Sequence, residues 1–268
     1  MPEPFFTQRC SLNQCDQCAL PHLETMTTET ADKVIAQYDG HTLQSHFQTI
    51  KSLKDISILG HEALARINKE QQIDTTQFFY QLTEPQHVIQ VDRLCRNIHV
   101  RNYLHQEQTS NLFLNLDPRL GQHINHCPPY FDSLIDKYSI DPHKIVIEIV
   151  ESHIPNIELL PTITNYFKNL GCKIAVDDFG SNNSNFDRLW ALEPDFIKLD
   201  KHFIKKIMLK PNAREFTHKL LSLLHEFGPV IMEGIETLEE YQLALETGID
   251  YVQGYFIHEP APNIIEPQ

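Results

Sequence analysis

The stretch Lys173–Gly180 reads KIAVDDFG: a short, mostly apolar, strand-forming run that ends in two adjacent carboxylates, Asp177 and Asp178. A strand buried on both faces reads as a near-continuous apolar run, so acids at its end must be hydrated, paired or bound to a cation. Working outward, the same signature recurs. Glu62 sits in ILGHEAL, Asn115 in LFLNL, Glu148 in IVIEIV and Glu233 in PVIMEG, each an oxygen-bearing side chain in or just after a strand-like run. Oxygen donors without nitrogen or sulfur suit hard divalent cations such as Mg²⁺ or Mn²⁺.

Strand-like runs are expected at 44–50, 56–65, 110–116, 144–150, 172–177, 195–199, 228–233 and 250–254. Helical patterns lie between them at 76–105, 128–138, 156–170, 186–192, 211–226 and 237–247, the last opening at Thr237 and stopping at Gly248. Strands alternating with helices predict a parallel α/β sheet, and eight of them in 268 residues predict a closed barrel with its chemistry at the C-terminal strand ends. The connection between the first two strands is too short for a helical crossover, so that pair is expected to run antiparallel.

Residues 1–35 differ in composition, holding Cys10, Cys15 and Cys18, and read as an appendage to a barrel over 36–262 with a tail at 263–268. With His22 as a fourth ligand, those cysteines have a spacing compatible with Zn²⁺ or an iron centre; the alternative is reduced thiols in a tail. The formal net charge of −14 argues against binding the DNA backbone, and an anionic substrate would need cations supplied locally. No apolar run is long enough to span a bilayer and the first residues lack a signal-peptide pattern, so a cytoplasmic protein without a membrane segment is expected.

Asp177 beside Asp178 suits a paired-cation site that activates water for displacement at phosphorus. Lys198, in FIKLD, is positioned to offset developing charge, and Glu233 to take the water's proton. Asp178-Phe179-Gly180 imitates a kinase motif, but no glycine-rich phosphate loop accompanies it; His61-Glu62 does not complete HExxH.

The ordered set GHEALAR (60–66), NLD at Asn115, EIVES at Glu148, DDFG at Asp177, KLD at Lys198, EGIET at Glu233 and QGY at Gln253 resembles the EAL domain family over roughly residues 36–262. The resemblance implies a modified (β/α)₈ TIM-like barrel with an antiparallel first strand pair. It also implies bacterial hydrolysis of cyclic di-GMP to linear pGpG with Mg²⁺ or Mn²⁺. By that resemblance Glu62, Asn115, Glu148 and Asp177 match cation ligands and Asp178 the ligand of a second cation. Lys198, Glu233, Glu236 and Gln253 match catalytic positions, Gln48, Arg66 and Pro260 substrate-binding ones, and Glu151 the anchor of the loop after the paired aspartates. That loop reads DDFGSNNSN, with Asn182 where the family commonly has glycine, Thr49 replaces the proline of a QPI motif, and Val150 replaces a threonine. A catalytically weak or inactive domain acting as a cyclic di-GMP receptor or protein-interaction module is therefore the alternative to an enzyme. A third reading makes the cysteine segment the input of a redox or metal sensor. Expected partners are cyclic di-GMP, a homodimer and an upstream signalling partner.

Overall fold

The computed structural model describes residues 19–67, 74–106, 108–117, 119–120, 130–150, 157–181, 186–209 and 212–264. Its strands are β1 (Thr27–Glu29), β2 (Val34–Tyr38), β3 (His41–Ser52), β4 (Ile58–Ile67), β5 (Asn111–Leu116), β6 (Ile145–Val150), β7 (Lys173–Phe179), β8 (Phe196–Leu199), β9 (Val230–Met232) and β10 (Tyr251–Val252). Strands β4 to β10 pair in parallel, neighbour with neighbour in chain order. The sheet closes because β3 pairs with both β10 and β4. Since β3 runs antiparallel to β10, it is antiparallel to the whole parallel set, β4 included. The eight-stranded barrel and its antiparallel first pair thus form as expected. The β3–β4 turn is held by Ser52 Oγ, which accepts from Lys54 N, and by Asp55 Oδ1, which accepts from Ser57 N.

The helices are α1 (Leu20–Thr25), α2 (Thr75–Gln81), α3 (Pro85–His105), α4 (Tyr130–Tyr138), α5 (Leu160–Asn169), α6 (Phe186–Leu192), α7 (Lys201–Leu209), α8 (Ala213–Leu224) and α9 (Leu238–Thr247). The single helix expected over 76–105 is instead two, α2 and α3. Glu84, which precedes Pro85, is held extended at φ −78°, ψ 128°, and Pro85 cannot donate a backbone hydrogen bond, so it opens a new helix. Helix α7 was not anticipated from the sequence; it buries only Ile204 and Ile207, too short a stripe to stand out. Strands β1 and β2 also exceed expectation: VIAQY buries alternate residues in β2, a five-residue period-two signal at the edge of a stretch read as unpatterned.

The chain divides into two compact units. One comprises residues 1–45, 65–108 and 119–142; the other comprises 46–64, 109–118 and 143–268. In the first, α3 carries many polar residues yet is buried on nearly every side, and several of those residues find partners nearby. Asn102 donates to Val34 O and accepts from Val34 N, both at 2.7 Å, Asp92 pairs with Arg96, and Tyr130 Oη donates to Arg93 O at 2.6 Å.

The second unit holds the barrel interior. Ile50, Phe113, Val146, Ala175, Phe196 and Ile231 form one buried cluster, with Leu59 and Tyr251 packed against it. A methyl at Gly60 would stand 2.3 Å from Asn111 O and 2.9 Å from the Phe113 ring, so glycine there makes room for that ring. At the N-terminal ends of the strands, polar side chains tie neighbouring chains together. Asn111 Nδ2 donates to Leu59 O, Asp195 accepts from Ile174 N, and Asp250 accepts from Val230 N.

Candidate active site

Side chains two residues apart on a strand share a face. One step from the apolar cluster toward the C-terminal strand ends therefore leads from Phe113 to Asn115, Val146 to Glu148, Ala175 to Asp177, Phe196 to Lys198, Ile231 to Glu233 and Tyr251 to Gln253. On the antiparallel β3 the same step runs backwards, from Ile50 to Gln48. The apolar layer closes the barrel below, and the polar layer is laid directly on it. Glu233 and Gln253 lie just past their strands but stay in register, through Glu233 N to Leu199 O and Gln253 N to Met232 O.

Lys198 is the centre of this layer. Its ammonium, on a side chain 1% exposed, lies 2.6 Å from Glu148 Oε1, 2.7 Å from Glu233 Oε1 and 3.3 Å from both Glu62 Oε2 and Asp177 Oδ1. Burial works against that charge, but the surrounding carboxylates outweigh it and hold the ammonium well above its usual range. One positive charge cannot neutralise four carboxylates, and the imbalance shows in how they differ. Burial pushes Glu62 up, but Lys198 and hydrogen bonds from Gln253 Nε2 (2.6 Å) and Asn115 Nδ2 (2.9 Å) together hold it below the ordinary carboxylate range. Glu148 has no amide donor among the described residues; burial, reinforced by repulsion from Glu62 and Asp177, holds its carboxyl well above that range. Glu233 is pushed up to about 8, by burial first and by Asp177 and Glu62 next.

Fully buried Glu148 has neither oxygen in a hydrogen bond of adequate geometry among the described residues, and Asp177 Oδ1 likewise has only its ion-pair contact. Buried carboxylate oxygens left in this state cost free energy unless a cation takes them. Glu62, Glu148 and Asp177 gather on the Lys198 ammonium, and Asn115 joins them through its bond to Glu62.

A second convergence needs a device that the sequence does not display. Along β7 and β8, Val176 pairs with Ile197 and Phe179 with Leu199, so β7 has one residue too many: a β-bulge at the two aspartates. Asp178 takes φ +55°, a left-handed conformation that Asp tolerates better than most residues. On a regular strand adjacent side chains point to opposite faces. The bulge instead lets Asp177, Asp178 and Glu233 bring carboxylate oxygens within 4.8 Å of one another.

Gln48, Glu62, Asp177, Glu233, Glu236 and Gln253 line one pocket. Gln48 is engaged at both ends of its amide, accepting from Gln253 Nε2 at 3.1 Å and donating to His258 O at 3.0 Å. Glu236 stands 3.6 Å from Lys205. The Pro260 carbonyl accepts from His46 Nδ1 at 3.1 Å. Arg66 belongs to the other compact unit, where Nη1 donates to Ala65 O. Glu151, Asn182, Cys10, Cys15 and Cys18 lie outside the described residues; His22 is exposed on α1. The pocket also takes in Lys201, Gly234, Gly254 and Tyr255, which the sequence reading did not single out, although each sits within or directly after a quoted motif. Both glycines permit close chain approach. A methyl at Gly254 would lie 2.1 Å from Ile235 O, and one at Gly234 would lie 2.3 Å from Lys201 Cβ.

Among known proteins, YkuI of Bacillus subtilis, an uncharacterized EAL-domain containing protein, is 28% identical over 228 residues, covering 82% of this chain and 56% of that protein. The cyclic di-GMP phosphodiesterase RocR of Pseudomonas aeruginosa is 26% identical over 257 residues, covering 90% of this chain and 63% of RocR. The chain spans only 20% to 56% of the length of the first three curated relatives it matches. The crystal structure of YkuI in complex with substrate c-di-GMP and calcium superposes with a TM-score of 0.72 at 26% identity, over 84% of this chain and 57% of that one. A standalone EAL protein of Vibrio cholerae O395, in its c-di-GMP bound form, shares the fold with a TM-score of 0.74 at 21% identity, over 87% of this chain and 98% of that one. No described helix is long and apolar enough to cross a membrane. The EAL domain family itself matches residues 35–260, nearly the whole barrel with its ordered motifs, and the chain belongs to that family.

Proposed function

We propose that this chain is a divalent-cation-dependent phosphodiesterase that hydrolyses cyclic di-GMP to linear pGpG, acting in bacterial second-messenger signalling. The observation that carries the reading is the surplus of buried carboxylate around Lys198, with Glu148 held by no side chain but Lys198 among the described residues. Glu62, Asn115, Glu148 and Asp177 would hold one Mg²⁺ or Mn²⁺, and Asp177 with Asp178 a second. Bound there, the ions would supply charge neutralisation at the phosphate and a more acidic water.

The chain's own residues do the rest. With bound cations offsetting its repulsion by Asp177 and Glu62, Glu233 would be ionised and take the proton of the attacking water as the new oxygen–phosphorus bond forms, while the 3′ oxygen leaves and takes up a proton from solvent. Lys198 holds Glu62, Glu148, Asp177 and Glu233 in one constellation and offsets the charge that develops on the phosphate. Gln253 fixes Glu62, and Glu236 completes the acid set at the pocket rim. Gln48, Arg66 and Pro260 are assigned to substrate and Glu151 to the loop after the paired aspartates, over a barrel of residues 36–262.

Incubation with cyclic di-GMP and Mg²⁺ or Mn²⁺, followed by chromatography, should yield linear pGpG. Glu62→Gln should keep the fold and lower turnover by orders of magnitude, because a neutral amide weakens the cation site. Tight binding without product in either ion would make the chain a receptor, and full activity in excess chelator would refute the cation mechanism.

A further inference from the structure

The pocket is lined by acids and by a single cation, Lys201, among its described residues. Lys198 lies beneath it with an ammonium already faced by four carboxylates and closed to solvent. A phosphodiester entering the pocket finds that charge shared among four carboxylates, which leaves little of it for holding the substrate. Lys201 differs in each respect: it is exposed, and its ammonium has no ion-pair partner among the described residues. Its neighbour on α7, Lys205, is instead paired with Glu236.

The backbone shows that the placement is built. Lys201 opens α7 directly after the strand that carries Lys198, and its stem presses on Gly234, the residue that follows Glu233. Any side chain at position 234 would collide with the Lys201 stem. The base of the Lys201 stem is thereby set at the pocket wall beside Glu233, and the ammonium is carried on the flexible remainder.

Building on the proposed phosphodiesterase reading, we infer that Lys201 is a substrate-binding residue whose ammonium contacts a phosphate oxygen of the bound cyclic dinucleotide. It supplies affinity for the dianion and takes no part in bond breaking. An ammonium is a compact point charge on a flexible stem, suited to a phosphate that must be released as product leaves.

The test is titration of cyclic di-GMP into the full chain in Ca²⁺, with turnover measured separately in Mn²⁺. Lys201→Gln keeps the stem over Gly234 and removes the charge; it should bind about tenfold more weakly, with KM raised and kcat within about twofold. Lys201→Arg should restore most of the affinity, and Lys206→Ala, which removes an equal charge from the same helix at an exposed position outside the pocket lining, should leave it unchanged. The gap between the unaltered chain and Lys201→Gln should narrow as salt is raised. Equal affinity in Lys201→Gln, or an equal loss in Lys206→Ala, would overturn the assignment while leaving the phosphodiesterase reading intact. Failure of the unaltered chain to bind cyclic di-GMP would overturn both.

Discussion

Asp178 shows how a single residue is fitted for chemistry at a cost in stability. A left-handed backbone disfavours any residue with a Cβ, and its carboxylate is drawn toward those of Asp177 and Glu233. Both costs disappear in glycine. Asp178→Gly should therefore be as stable as the unaltered chain or more so, by up to about 1 kcal/mol, while hydrolysis falls by orders of magnitude. Urea unfolding paired with product assay checks this, and a marked loss of stability would mean the bulge depends on the Asp178 side chain. Two carboxyls are separated by their partners: Lys198 and two amide donors hold Glu62 below the ordinary range, whereas Glu148 has no amide donor among the described residues and is held above it.

Among the elements, α9 has the best-defined start. Thr237 Oγ1 accepts from Glu240 N at 3.2 Å, Glu240 returns a hydrogen bond from Thr237 N, and Glu240 also accepts from Glu236 N at 2.7 Å. The cap thus holds the helix and fixes the backbone of a proposed catalytic acid. Thr237→Ala should lower stability by about 1 kcal/mol, read from the urea midpoint, because Glu240 keeps its half of the box. The capping pattern, the Gly248 stop and the strand runs are local, and they were legible from the sequence. The break at Pro85 was equally local; the long apolar pattern across it concealed it. Helix α7 was not legible, because two buried residues give no period until there is a barrel to bury them against.

Across the barrel, the two ends of the strands divide the labour. The C-terminal ends carry the acids and Lys198, while the N-terminal ends carry Asn111, Asp195 and Asp250, each bonded to a neighbouring strand. Asp250→Ala leaves Val230 N without its acceptor and should lower stability by about 1–3 kcal/mol, with kcat unchanged within about twofold. A large change in kcat, measured well below the melting temperature, would show that the two ends are coupled. The sequence alone determined the barrel class, the antiparallel first pair and which polar residues stand at strand ends, because strand period and apolar runs are local properties of the chain. It also carried the family, through motifs in order. Only the tertiary structure decided that Lys198 sits among four carboxylates, that a bulge turns Asp177 and Asp178 to one side, and that Lys201 lines the pocket without an ion-pair partner among the described residues. Those facts depend on register and closure between strands far apart in the chain, where the energy of each charge is set by neighbours that no local pattern encodes.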